Sequence, residues 1–381
     1  MNTKVLVTDA GHKNALASIR SLGKKGVYVT GVSNMPKWKT LGFYSKYCKK
    51  KIVFNENLSN IDKYANKLLN LLDEDNYDVL LPIGLKSYLA TSKHKKEFLN
   101  LTNIIVPDSD KIEIAYNKDR TMEFAKKIGI PAPKTVTLNN HDDLNNINEF
   151  PIVLKSSGDS GIFVKYCNNK IELKKNFKIL KDNSKTNIIA QEYIKGFGCG
   201  FYGIYNKGKL ISYFMHKRIK EFPITGGPSA VAESYYDKRL FVYGKKLCGA
   251  LKWHGPIMAE FKYDILNNDY KLIEINPKLW GSLDLTIEAG IDVPNILVNL
   301  ALRKEIHAEN YRDIRYRWIF PDEFLVVLSK RVSKDFFSFN TKTNIYFDDL
   351  KPTFFQINQT IIDGFKVLTN KSYRLPHGEI K

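Results

Sequence analysis

The sequence predicts a mixed α/β (α+β) protein, with an open α/β unit first and a larger, hairpin-rich part after it. Three observations carry this. Strand-like apolar runs alternate with amphipathic helical stretches up to about residue 113, the order that builds a parallel sheet. Two later stretches read as strand, turn, strand, across Asn206-Lys207-Gly208 and across Asn267-Asn268-Asp269, which makes antiparallel pairs. At 381 residues the chain exceeds one ordinary core and predicts about two to four domains.

In the first unit, residues 4–8 (KVLVT) form a strand, 15–25 an amphipathic helix and 27–33 (VYVTGVS) the next strand. Residues 51–54, 79–83 and 104–106 continue as strands, with a helix over 61–73. The first strand-to-helix turn, Asp9 to Asn14, lacks G-x-G-x-x-G and so disfavours a nicotinamide dinucleotide. Ligands of such sheets gather at the carboxyl ends of strands. Residues 8–14 and 82–86 are therefore candidates for a substrate crevice, with plain connections as the competing reading.

A helix over 120–128 follows, capped by Asn117 or Asp119 and ended by Gly129. Lys118 stands at its start, where an anion is welcome. Residues 151–155 (PIVLK) are a strand delivering Lys155 into Ser156-Ser157-Gly158-Asp159-Ser160-Gly161. Small residues there let backbone N–H groups approach phosphate oxygens. Many Ser/Gly turns bind nothing, and this is not a Walker A loop.

Residues 187–194, carrying Gln191, Glu192, Tyr193 and Ile194, read as a strand, and 201–205 with 209–215 as a hairpin. His216-Lys217-Arg218 opens a basic, Gly-rich loop over 219–229; helices follow over 235–251 and 287–304. Residues 311–320 (YRDIRYRWIF) interleave Arg with aromatics, as an extended strand with arginines outward or as a base-stacking surface. Residues 347–352 and 364–374 read as ordered closing segments.

The hairpin from Gly255 to Asn276 carries the chemistry. A period of two places Met258, Glu260 and Lys262 on one face, with Ile257, Ala259, Phe261 and Tyr263 on the other. Its second strand places Leu272, Glu274 and Asn276 on one face, with Lys271, Ile273 and Ile275 opposite. If Glu260 and Glu274 share the inward face, two carboxylates and an amide oxygen converge within about 4.5–8 Å. Hard oxygen donors in that number suit Mg²⁺ completed by water and phosphates. An ordinary wet hairpin face is the competing reading.

Composition narrows the classes. An apolar fraction of 43% with 12% aromatics is globular rather than disordered. No signal-peptide pattern opens MNTKVLVTDAG and no apolar run reaches about 18 residues, so the sequence predicts neither export nor a membrane partner. Cys48, Cys167, Cys199 and Cys248 show no CxxC spacing, and reduced thiols in a cytoplasmic setting fit them. The net charge of +19 would suit nucleic acid, an anionic membrane surface or small anions such as nucleotides and phosphates; its lysines are dispersed through helix-like segments, as compositional drift of a genome leaves them, so the charge alone makes nucleic-acid binding a minority reading.

Lys118, Lys155 with its small-residue loop, the Gln191-Glu192-Tyr193-Ile194 segment and the Glu260, Glu274, Asn276 hairpin occur in an order that resembles the ATP-grasp superfamily, over about residues 1–305. KRIKEFPITGGPSA, MAEFKYD and LIEINPKLWGSL look like a branch of carboxylate-amine ligases related to the carbamoyl-phosphate synthetase large chain. The resemblance implies an ATP-grasp fold with a Rossmann-like preceding domain (1–113), an ATP-grasp domain (114–306) whose mobile lid spans about 130–192, and a C-terminal extension (307–381).

It implies ATP and two Mg²⁺ ions, or Mn²⁺, held by Glu260, Glu274 and Asn276. Lys118, Lys155, Ser156, Ser157, Gly158, Ser160 and Gly161 would face the phosphates, and Gln191, Glu192, Tyr193 and Ile194 the adenine. Arg218 and Lys278 would serve the transferred phosphate or the acceptor. Small-molecule carboxylate and amine substrates and a homodimer are consistent with it. Two departures stand out: no acidic residue for the ribose follows the adenine segment, and Lys278 stands where the family commonly has Arg, keeping the charge but losing the bidentate fork. A nucleotide-binding sensor without turnover and a basic nucleic-acid-binding protein are the alternatives.

Overall fold

The structure is a computed structural model that describes residues 2–55, 60–158, 164–307, 310–329 and 341–380. Among these residues it builds three sheets. The first is parallel, in the order β3 (Cys48–Val53), β2 (Tyr28–Ser33), β1 (Lys4–Val7), β4 (Val79–Leu81). Strands β1, β2 and β4 are largely buried, as strands covered on both faces require, whereas the edge strand β3 exposes Lys49, Lys50 and Lys51. The strand expected over 104–106 is absent. Asn103 makes only an isolated bridge to Val79 before Pro107 turns the chain away.

The second sheet, in the order β5 (Thr135–Leu138), β8 (Ile188–Glu192), β6 (Ile152–Ser156), β7 (Val164–Cys167), is antiparallel and covered by the helix Lys170–Asn183. Asn169 caps that helix by accepting from the Ile171 and Glu172 N–H groups. Leu154, Leu173, Phe177 and Ile188 form a core of its own for this unit. Ser160 and Gly161, with Asp159, lie outside the described residues.

The third sheet runs β13 (Asp269–Asn276), β12 (Gly255–Asp264), β9 (Gly196–Asn206), β10 (Lys209–Glu221), β11 (Ser229–Ser234), β14 (Arg315–Arg317), β15 (Lys342–Thr343). Three expectations change here. Arg218 stands on β10, not in a loop, because pairing with β11 extends the strand to Glu221. The helix expected over 287–304 is two, Leu283–Glu288 and Val293–Ala301. Gly290, at φ +110°, breaks the run, and Asp292 caps the second piece. In β14 only Arg315 points outward, pairing with Glu233; Arg317 turns inward to the buried Glu323 at 2.7 Å. That inward pair removes the continuous arginine-aromatic surface a base-stacking role would use.

The C-terminal extension returns to the first unit. Asp349 is buried and accepts from Arg20 Nε at 2.8 Å and Ser45 Oγ at 2.7 Å. Among the described residues no helix is long and apolar enough to cross a membrane.

Candidate active site

Strands β12 and β13 pair in register so that Glu260 stands directly opposite Glu274, and Met258 opposite Asn276. One feature of the pairing departs from strict alternation. A bulge follows the Glu260/Glu274 pair, so Phe261 faces Leu272 and Ile273 is the extra residue. Leu272 therefore joins the apolar core with Phe261 and Ile275 instead of sharing the carboxylate face. Asn268, at φ 51°, supplies the left-handed residue of the turn.

Cations converge on the two carboxylates. Lys118, the first residue of the helix Lys118–Lys127, holds Nζ 3.6 Å from Glu274 Oε2. Arg218 holds Nη2 2.6 Å from Glu260 Oε2 and Nη1 2.9 Å from Glu221 Oε1. Asn276 Nδ2 donates to Glu274 Oε1 at 2.8 Å. Burial pushes the Glu260 carboxyl up, and Glu274 and Glu221 add to this against the Arg218 guanidinium. Burial would raise Glu274 too, but the ammonium groups of Lys118 and Lys155 and the Asn276 hydrogen bond hold it below the usual carboxylate range. Burial also lowers the pKa of Lys278, against the opposing charges of Glu274 and Asp9.

The lid contributes from above. Lys155, on β6, is buried and donates to Gln191 Oε1 at 2.8 Å. The buried Ser156 Oγ has no hydrogen-bond partner among the described residues. The Lys118 N–H donates to Ser157 O at 2.9 Å, tying the small-residue turn to the helix start. Asn117 is the N-cap by position, but its side chain donates to Glu113 O instead of capping. Glu192 accepts from the Lys134 N–H at 3.1 Å, and Ile194 O accepts from Lys262 Nζ at 3.0 Å. Tyr193 lies 4.8 Å beneath that same ammonium.

Burial, and then the Lys118 charge, lower the Lys155 pKa to about 8, against the carboxylates. An ammonium attracts a phosphate oxygen where a neutral amine does not, and the sequence resemblance assigns Lys155 to a phosphate. ATP affinity is expected to fall by up to about tenfold per pH unit above that value. Lys155→Met should weaken binding and flatten the dependence, as calorimetric titration across pH 7 to 9.5 would read. A dependence unchanged in the variant would remove Lys155 from the phosphate site.

Lys118, Arg218, Glu260, Glu274 and Asn276 thus meet at one place, with Lys155 held by Gln191 close by, whereas Glu192 is engaged by the Lys134 N–H and Gly158 by Thr186. Sequence reasoning left out Lys262 and Glu221. The two-residue spacing from Glu260 does signal Lys262, since it returns to the same face. Glu221 carries no local signal, because its position depends on how far β10 extends. Lys118, Lys155, Arg218, Lys262 and Lys278 against Glu221, Glu260 and Glu274 leave an excess of two positive charges, which favours a polyanion.

The two stretches proposed for a crevice also meet. Asp9 Oδ2 accepts from the Gly84 N–H at 2.8 Å and from Ser87 Oγ. A Cβ at Gly84 would lie 2.6 Å from the Asp9 carboxylate, so this close approach needs glycine.

Three sheets in this order, with paired carboxylates on the large one and a lysine-bearing lid over them, are an ATP-grasp fold. The chain is similar to biotin carboxylase from Campylobacter jejuni, solved as a β-γ-ATP complex, at a TM-score of 0.67 and 16% identity over 81% of this chain and 72% of that one. It is similar as well to the biotin carboxylase domain dimer of 2-oxoglutarate carboxylase from Hydrogenobacter thermophilus, solved with MgADP, ADP and bicarbonate (TM-score 0.67, 17% identity, 83% and 73% covered). An L-amino acid ligase from Bacillus licheniformis matches at a TM-score of 0.61 and 14% identity, with 79% and 74% covered. No protein-family model matches the chain, and no curated protein matches it in sequence.

Proposed function

We propose that the chain is an ATP-dependent carboxylate-amine ligase that forms an amide through an acyl phosphate, releasing ADP and phosphate. The single observation that carries this is the half-buried Glu260/Glu274 pair, directly opposed on two strands and faced by Lys118 and Arg218. A likeness in fold to proteins solved with ATP or ADP supports the choice of nucleotide.

The donor set fits Mg²⁺. Two carboxylates and one amide match the few protein ligands that ion takes, leaving positions for phosphate oxygens. Among the described residues no three His, Cys, Asp or Glu side chains form a cage, so these three would share the ion with substrate. When bound, the metal would neutralise charge on the β- and γ-phosphates. Glu260, Glu274 and Asn276 would hold two such ions or Mn²⁺.

Lys118 and Lys155 then hold the α- and β-phosphates, with Ser156, Ser157, Gly158, Ser160 and Gly161 closing over them. Gln191, Glu192, Tyr193 and Ile194 bind the adenine. Arg218 orients the γ-phosphoryl group as a carboxylate oxygen takes it from ATP, the bond to the β,γ-bridging oxygen breaking and ADP leaving. The resonance-stabilised carboxylate thereby becomes an acyl phosphate with a good leaving group. The amine attacks its carbonyl carbon, the C–O bond to phosphate breaks, and the amide remains. Lys278 neutralises the departing charge as a point cation. The lid keeps water away from the acyl phosphate.

Screening ADP release against panels of amino-acid pairs tests the reading. The expected result is release that needs a carboxylate, with a hydroxamate formed when hydroxylamine replaces the amine. AMP and pyrophosphate as products would contradict it. Lys278 in place of the family's Arg favours one second reading, a nucleotide sensor, which predicts MgATP binding by calorimetry with no turnover.

A further inference from the structure

The closing helix, Lys351–Thr369, is amphipathic in the opposite sense to a core-facing helix. The residues it turns to its own subunit are Pro352, Thr353, Gln356, Thr360, Gly364 and Val367, of which Val367 joins a small core with Leu325 and Val326. Phe354, Ile361, Phe365 and Leu368 are 62%, 68%, 70% and 64% exposed. At about 3.6 residues per turn these four fall within roughly 40° of one line. Spacings of seven, four and three make the narrow seam of one helix packed on another. The polar residues of the helix are mostly Thr, Gln and Asn, with two Lys and one Asp, rather than the Lys-rich face of an interfacial membrane helix. Phe347 precedes it at 86% exposure, and Ile362 flanks the seam at 60%.

We propose that this face is a homodimer interface in which the same helix of a second copy packs antiparallel across a two-fold axis near Ile361. Phe354 then meets Leu368 of the partner subunit, and Ile361 meets its symmetry mate. The six exposed side chains offer on the order of 700 Å², taking 150–250 Å² for a whole aromatic. A standard interface needs about 800 Å² per partner, so the seam supplies most of one. Charge acts against the association, because each copy carries +19. That repulsion is screened beyond about 8 Å at physiological ionic strength. Dimerisation therefore strengthens with salt, whereas attachment to an anionic bilayer would weaken.

Sedimentation velocity of the full chain at low and high salt, with vesicles of anionic phospholipid as a separate arm, tests this independently of the catalytic reading. The expected result is a dimer whose dissociation constant falls several-fold as salt rises. Phe365→Glu should halve the mass at unchanged melting temperature and unchanged ADP release. Should that variant misfold, Ile361→Cys answers in its place, since the four native cysteines are buried. It should form an intersubunit disulfide on oxidation. Thr369→Cys, on the order of 24 Å from its mate in the antiparallel pair, should not. A monomer at both salts, a monomer that sediments with the vesicles, or equal cross-linking at both positions overturns the proposal.

Discussion

Glu274→Gln is expected to lower substrate-dependent ADP release by about 10²–10³-fold, the cost of removing one preorganised electrostatic contact in an active site. The amide keeps the shape of the carboxylate and can still accept from Asn276, so the hairpin register survives. What is lost is the charge that faces Lys118 at 3.6 Å and would hold a divalent ion. Glu274 is 28% exposed on its side chain, so water screens the broken pair and the stability cost stays near 1 kcal/mol. Glu260→Gln should act in the same direction, because its partner across the ladder is Glu274 itself. A coupled ADP assay beside a thermal melt separates the two effects, and full turnover in both variants would overturn the site.

Asp349→Ala should produce the largest stability loss, about 3–5 kcal/mol, by leaving a buried charge without its partner. Arg20 and Asp349 are 5% and 2% exposed on their side chains and 2.8 Å apart. The carboxylate also accepts from Ser45 Oγ and from the Lys46 N–H, and the Arg20 guanidinium lies 4.4 Å from the Tyr346 ring. Removing the carboxylate strips three groups, Arg20 Nε, Ser45 Oγ and the Lys46 N–H, of one partner each and unfastens the extension from the first unit. Because several units are involved, the loss is expected in the first unfolding transition of a denaturant series. A change below about 1 kcal/mol would show that this contact does not hold the extension.

The hairpin was legible because a period of two and a turn-forming Asn-Asn-Asp cluster are local signals. The bulge at Ile273 was not, since it exists only in relation to β12. Arg218 misled for the same reason: β10 runs past Met215 because β11 pairs with it, and that partner lies beyond a loop. The helix break at Gly290 was legible in principle, as Gly, Asp and Pro there are stop and start signals. Arg317 looked like a surface arginine until Glu323 folded back onto it. The Arg20–Asp349 contact joins residues 329 positions apart and left no local trace. Nor does the sequence alone say that the closing helix turns Phe354 and Phe365 outward, because its seam reads equally as a core-facing face.

The most direct measurement is anomalous diffraction from crystals grown with Mn²⁺ and a non-hydrolysable ATP analogue. The account predicts manganese within coordination distance of Glu260 and Glu274, about 2.0–2.4 Å, with the terminal phosphates against Lys118 and Lys155. Manganese elsewhere, or a nucleotide bound away from those two lysines, would contradict it.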